Sequence, residues 1–221
     1  MRRTLIACRG AKGYNWYNKF QKEGADGFRK FKPPTPFDWS APIDASTGVV
    51  KRPRVYFDLE MENNLLGRVE FELAADVVPK TCHNFMNLVE GKGIKVGGYQ
   101  GTAFHVISKN NVIMGGDVEN RDGTGNHSSH NERYIQDENF IIPHSDKGLL
   151  SMASIGVHTG GSQFYIGLNS GDSNRHLNGR CVVFGRIIEG MEVVEQISKL
   201  FTTRLKPVHP VIIAKCGVSS D

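Results

Sequence analysis

Apolar and polar residues alternate over Val69-Glu70-Phe71-Glu72-Leu73, and a second strand-like run, Val55 to Met61, precedes it across a polar break at Glu62-Asn63-Asn64. A period of two with one apolar face predicts an antiparallel hairpin with one buried side. From Asp76 to Val89 the period changes. Phe85, Leu88 and Val89 recur at helical spacing, Pro79 lies near the first turn and Gly91 ends the segment, which predicts a helix. Residues 148–153, 162–166, 181–187 and 211–216 are further short strand-like runs, and Met191 to Leu200 is a second amphipathic helix. Many short strands with only two helices predict a mainly β fold, an antiparallel closed barrel capped at its ends.

Residues 1–52 follow neither pattern and are expected to form an extended N-terminal arm ahead of a single domain over 53–221. The arm carries Tyr14, Trp16, Tyr17, Phe20, Phe28, Phe31, Phe37 and Trp39, and both tryptophans of the chain are among them. Bland disorder goes with few aromatics, so such a segment is expected to be a strap with rings as anchors. Lys32-Pro33-Pro34-Thr35-Pro36 is expected to be extended, because proline fixes φ and disfavours helix in the residue before it. Two surfaces suit the strap, a partner protein and the chain's own barrel, and the partner is preferred because the anchors exceed what one small domain needs.

Charge sharpens this division. Residues 1–50 hold nine of the 27 Lys/Arg and four of the 23 Asp/Glu, a net +5, which leaves 18 basic and 19 acidic residues, a net −1, for the rest. Residues 1–22 contain no acid, and the Arg-rich start has some character of a mitochondrial presequence. The dispersed charge does not point to nucleic acid. No run approaches the roughly 18 apolar residues of a membrane span. The widely spaced Cys8, Cys82, Cys181 and Cys216 suit reduced thiols, and an intracellular setting is expected: cytoplasm or a cytoskeletal assembly such as a cilium, with the mitochondrion as the alternative. His127 and His130 lack a second cluster of ligands, so neither metal nor cofactor is expected.

The remaining chemistry lies in separated motifs: Leu66-Gly67-Arg68, Val78-Pro79-Lys80-Thr81, Phe104-His105, Gly115-Gly116-Asp117, Gly123-Thr124-Gly125, Asp137-Glu138-Asn139-Phe140, Leu150-Ser151-Met152-Ala153, Gly161-Ser162-Gln163-Phe164 and Val182-Val183-Phe184-Gly185. Their order and spacing over about residues 53–218 resemble the cyclophilins, the barrel-shaped peptidyl-prolyl isomerases. The resemblance implies an eight-stranded antiparallel barrel with two capping helices and an outer groove that takes an extended Xaa-Pro segment. It places His105, Val106, Asn111, Val112, Met114, Gln163, Tyr165, His176, Leu177 and Cys181 along that groove. His105, Gln163 and Leu177 match the family, and Tyr165 stands for a phenylalanine.

The other positions depart from it. Val106 occupies the place of the arginine after the Phe-His pair, and Met114 that of the glutamine that orients it. Asn111 and Val112 replace an aromatic ring and a methionine, His176 a tryptophan and Cys181 a histidine. Rotation about the prolyl peptide bond faces a barrier of about 18–20 kcal/mol, and a guanidinium aimed at the nitrogen stabilises the lone pair that localises there as resonance is lost. A valine cannot donate that bond. No catalytic residue is therefore assigned, and a binding or structural subunit of a larger assembly, held through its arm, is preferred over a working isomerase and over an inactive proline-peptide binder.

Overall fold

The computed structural model describes residues 35–40 and 52–219. The expected hairpin forms from β1 (Arg54–Met61) and β2 (Asn64–Leu73), with Val55 opposite Phe71 and Phe57 opposite Val69. Its turn works without glycine, since Glu62 and Asn63 both adopt positive φ, 51° and 62°. Alternation then does what the sequence pattern requires: Val55, Phe57, Leu59, Val69, Phe71 and Leu73 are all buried.

The first helix, α1 (Pro79–Val89), begins three residues later than the periodicity suggests. Pro79 occupies the first turn, where a missing N–H does no harm, and Val78 offers no side-chain cap. The Glu138 carboxylate, from a distant loop, accepts the N–H groups of Lys80 and Thr81 at 3.2 and 3.0 Å and the Thr81 hydroxyl at 3.1 Å. An anion at the positive end of the helix supplies the cap. Six further strands follow: β3 (Val106–Ser108), β4 (Val112–Gly115), β5 (Leu149–Met152), β6 (Phe164–Gly167), β7 (Val183–Glu189) and, after helix α2 (Met191–Ser198) and a small hairpin of β8 (Thr202–Thr203) and β9 (Lys206–Pro207), β10 (Val211–Ser219).

These strands form one eight-stranded antiparallel sheet in the order β10-β1-β2-β7-β5-β6-β4-β3. The closed barrel expected from the sequence is here a half-barrel, because the outer strands β3 and β10 do not pair with each other. The short irregular segment before β3 reaches β10 through one bridge, Ala103 to Ile212, and through the bonds Gly101 N–H to Ile213 O (2.8 Å), Ile213 N–H to Thr102 O (2.9 Å) and Phe104 N–H to Val211 O (2.9 Å). It turns at Gly101, whose φ is +80°, and is too short for a ladder. Inside, Phe57, Phe71, Phe85, Tyr99, Phe164 and Phe184 interlock with centroid separations of 4.9–6.0 Å. The Tyr99 hydroxyl donates to Ser162 O at 2.7 Å, so the one polar atom of this cluster is satisfied.

Two of the arm's anchors are described. Phe37 and Trp39 meet edge to face at 5.2 Å and pack on the chain's own core, with the guanidinium of Arg52 5.3 Å and that of Arg186 4.9 Å from the Trp39 ring. At this segment the strap covers its own barrel, the second of the two surfaces considered for it. The cations explain why, since they hold the indole face. Tyr14, Trp16, Tyr17, Phe20, Phe28 and Phe31 lie outside the described residues. Among the described residues no helix is long and apolar enough to cross a membrane.

Candidate functional site: the groove across the sheet face

Strand pairing aligns the groove. Val106 on β3 lies opposite Met114 on β4, Met114 opposite Tyr165 on β6, and Tyr165 opposite Ser151 on β5. Their neighbours Ile107, Ile113, Phe164 and Ile166 are buried in the core, so the period of two sends Val106, Met114 and Tyr165 to the outer face as one row. Ala153, Tyr165 and Cys181 form a small buried apolar cluster there, with Val112, Met114 and Leu177 packed against it. Five of the residues predicted for the groove thus meet in one floor. Asn111 lies half-buried at the turn between β3 and β4, its carbonyl accepting Leu168 N–H at 2.8 Å. His176 is exposed, on a short 3-10 helix spanning Gly171–Leu177, and does not join the floor cluster.

His105 and Gln163 stand at one end of this floor under the loop that follows β4. The Gln163 amide donates to Gly123 O at 3.0 Å and to Gly125 O, so it ties this loop to the sheet by backbone bonds. Gly123 has a φ of +96°, and a Cβ there would come within 2.5 Å of the His105 ring, so the loop rests on that ring only because the residue is glycine. His105 is buried, with its Nδ1 left without a hydrogen-bond partner. Burial lowers the pKa of this imidazole against the opposing influence of Asp117 and Gln163.

The loop is held from below by Asp117, fully buried, whose Oδ1 accepts the N–H groups of Glu119 and Asn120 and whose Oδ2 accepts those of Asp122, Gly123 and Gly125, at 2.8–3.2 Å. Burial by itself would raise its pKa. The bonds from Asn120, Gly125, Gly123 and Asp122 outweigh it and hold the carboxyl below the usual carboxylate range. Asn126 repeats the device on the far wall, its Oδ1 accepting Ser162 and Gln163 N–H at 2.9 and 3.0 Å and its amide donating to Thr159 O at 3.1 Å.

A polar network lies beneath the floor and joins Tyr165 to His144, Ser151 and Asn178, three residues outside the set predicted for the groove. The Asn178 Oδ1 accepts the backbone N–H of His144 at 2.8 Å, so it is an acceptor, and the His144 Nδ1 at 2.9 Å from it must carry the proton. The Nε2 is therefore the acceptor, facing the Tyr165 hydroxyl at 2.8 Å and the Ser151 hydroxyl at 3.0 Å. The Tyr165 hydroxyl thereby locks the floor ring in place and, through His144, ties it to Asn178 beside Leu177 on the wall. Only the tyrosine at 165 gave a hint in sequence, as a hydroxyl that burial would oblige to find a partner.

Burial, opposed by the Asn178 bond and reinforced by His176, pushes the His144 pKa down from its ordinary 6.5 to about 4. The folded value is the lower one, so the neutral ring contributes stability that is complete above the ordinary pKa and is lost as the pH falls from about 6.5 towards 4. A shift of this size corresponds to on the order of 3 kcal/mol. Urea unfolding at a series of pH values is expected to show that slope, and a His144→Gln chain is expected to lose most of it.

The arrangement as a whole, an eight-stranded half-barrel with two helices and an apolar cluster around Tyr165 on the outer face of its sheet, is that of a peptidyl-prolyl-isomerase-like scaffold. The model of the family described as cyclophilin type peptidyl-prolyl cis-trans isomerase/CLD matches residues 56–218, and the chain belongs to the cyclophilin family. Among curated relatives, the NK-tumor recognition proteins of Mus musculus and Homo sapiens are 43% identical over 178 residues, 77% of this chain. The match spans 12% of those much longer proteins.

Proposed function

We propose that the chain is a cyclophilin-fold binding subunit with weak or no isomerase activity, held in a larger assembly through its N-terminal arm. The observation that carries this is the side chain at the catalytic position. Val106 stands in the outer row beside Met114, where it can pack on a ligand but cannot donate to a prolyl nitrogen. Losing one preorganised donor lowers a rate by about 10²–10³. Lys109 at the β3–β4 turn is exposed, and an exposed flexible ammonium is mostly solvated. The rest of the groove favours retention of a proline-containing segment: an apolar floor, a locked Tyr165, and His105 and Gln163 fixed by the Asp117 loop. The three backbone bonds between residues 101–104 and β10 support a barrel seam at this edge, as in the family's closed barrel. The basic, aromatic arm supports an intracellular protein partner for its remaining anchors.

Exchange NMR on a short Xaa-Pro peptide tests the reading. The natural chain is expected to accelerate cis-trans exchange little, and Val106→Arg to raise the rate. Acceleration by the natural chain to the degree of an ordinary cyclophilin would sink the proposal and leave the active isomerase. If neither chain accelerates exchange while the peptide still binds saturably, the groove is a binding module in which the donor is not the sole missing element.

A further inference from the structure

Beyond the arm the chain is slightly acidic, yet one edge of the domain is not. Residues 196–220 hold four Lys/Arg and no carboxylate, and residues 104–116 hold one lysine and no carboxylate. The fold joins these two segments. Ile107 N–H of β3 donates to Leu205 O of the β8–β9 turn at 2.7 Å, and Ile107, Lys109, Lys199, Leu200 and Phe201 line one open bowl of about 350 Å³. The turn is formed by Arg204 and Leu205 at positive φ, 54° and 68°, and because Leu205 bonds β3, its chain neighbours Arg204 and Lys206 stand beside the bowl and outside its lining.

Phe201, Leu205 and Val208 are 78%, 39% and 49% exposed, three apolar side chains within a stretch of eight residues that also holds Arg204 and Lys206. Singly such exposure is ordinary, but Phe201 lines the bowl beside Ile107 and Leu200, and an exposed ring set against Lys109 and Lys199 marks an interaction surface. Lys199 lies just past the last turn of α2, where a cation offsets the helix dipole, and it also acts on Glu195, which Lys147 already pairs. Helix chemistry accounts for that one charge. Lys109, Arg204 and Lys206 form no ion pair among the described residues.

We infer that this bowl docks an acidic polypeptide segment, with carboxylates on Lys109, Lys199, Arg204 and Lys206 and an apolar side chain against Phe201. A mixed aliphatic and aromatic floor suits peptide side chains. One exposed ring does not make the platform on which successive bases stack, so the patch favours peptide over single-stranded nucleic acid. β3 runs from Val106 in the groove to the turn at Lys109, about 10 Å at the strand rise, so bowl and groove are neighbours but separate sites.

The test uses a fluorescein-labelled, proline-free Asp/Glu-rich peptide containing one phenylalanine, titrated with the full chain by anisotropy. Saturable binding that weakens with salt is expected, about tenfold weaker in Lys199→Glu/Lys206→Glu. A neutral Xaa-Pro peptide is expected to bind both chains alike, which keeps a failure of the groove distinct from a failure of the bowl. Undiminished binding by the variant would overturn the inference and place the peptide on the arm. Displacement of the peptide by a charge-matched oligonucleotide at lower concentration would overturn it in favour of nucleic acid. Should the reversed variant fail to fold in a thermal melt, Lys109→Ala/Arg204→Ala reads the same contact, with a loss of about threefold expected.

Discussion

Asp117→Ala is expected to destabilise the chain by about 4 kcal/mol or more and to abolish peptide binding in the groove. Five backbone N–H groups converge on this fully buried carboxylate. A net hydrogen bond to a charged group contributes about 1.5–3 kcal/mol, and a buried donor left unpaired costs about 1–3 kcal/mol. The donors of the exposed residues Glu119, Asn120 and Asp122 can turn to water, which discounts the sum, whereas Gly125 is buried and cannot. The loop also seats Gly123 on His105 and supplies the carbonyls that hold Gln163, so its release unfastens both retained groove residues. Chemical denaturation gives the first quantity and peptide titration the second. A loss below about 1 kcal/mol would mean that the loop holds itself, contrary to this account.

Arg52→Ala is expected to lower stability by about 3–5 kcal/mol and to release the described part of the arm. The Arg52 and Asp76 side chains are each 7% exposed and meet in a two-pronged pair, Nε to Oδ1 at 2.8 Å and Nη2 to Oδ2 at 2.7 Å. Removing one partner of a buried pair strands the other charge, and that desolvation governs the loss. The Arg52 hydrogen bond is the main reason the Asp76 carboxyl lies below its ordinary pKa, so truncation also raises it. The same guanidinium donates to the Trp39 carbonyl and lies against the Phe37 and Trp39 rings. In a Trp16→Phe background, where Trp39 is the one indole, the emission is expected to shift to the red when Arg52 is truncated. Unchanged emission would show that the strap is held by its rings and Arg186 alone.

Much of the domain was legible along the chain because the information is local. Alternation over Val69–Leu73 specifies which side faces the core, and the strands predicted at 148–153, 162–166, 181–187 and 211–216 lie within about three residues of β5, β6, β7 and β10. The loss of a donor at Val106 was also a local reading, since a side chain either carries an N–H or does not. Less legible were the arm and the edge of the sheet. Composition shows that Phe37 and Trp39 seek a surface, but both a partner and the barrel satisfy that requirement. The choice rests on Arg52 and Arg186, which only the fold sets beside Trp39.

What the sequence determined by itself is the family, six of the strands with both helices, and the valine at position 106, which has no donor to offer. What tertiary structure decided is how polar groups far apart in the chain satisfy one another. Glu138 caps a helix 57 residues earlier, His144 fixes Tyr165 21 residues on, and Lys109 shares a bowl with Lys199. Periodicity reports which side chains must leave water and not which partners meet them, because a hydrogen bond depends on the positions of both groups and pattern along one chain carries only the first.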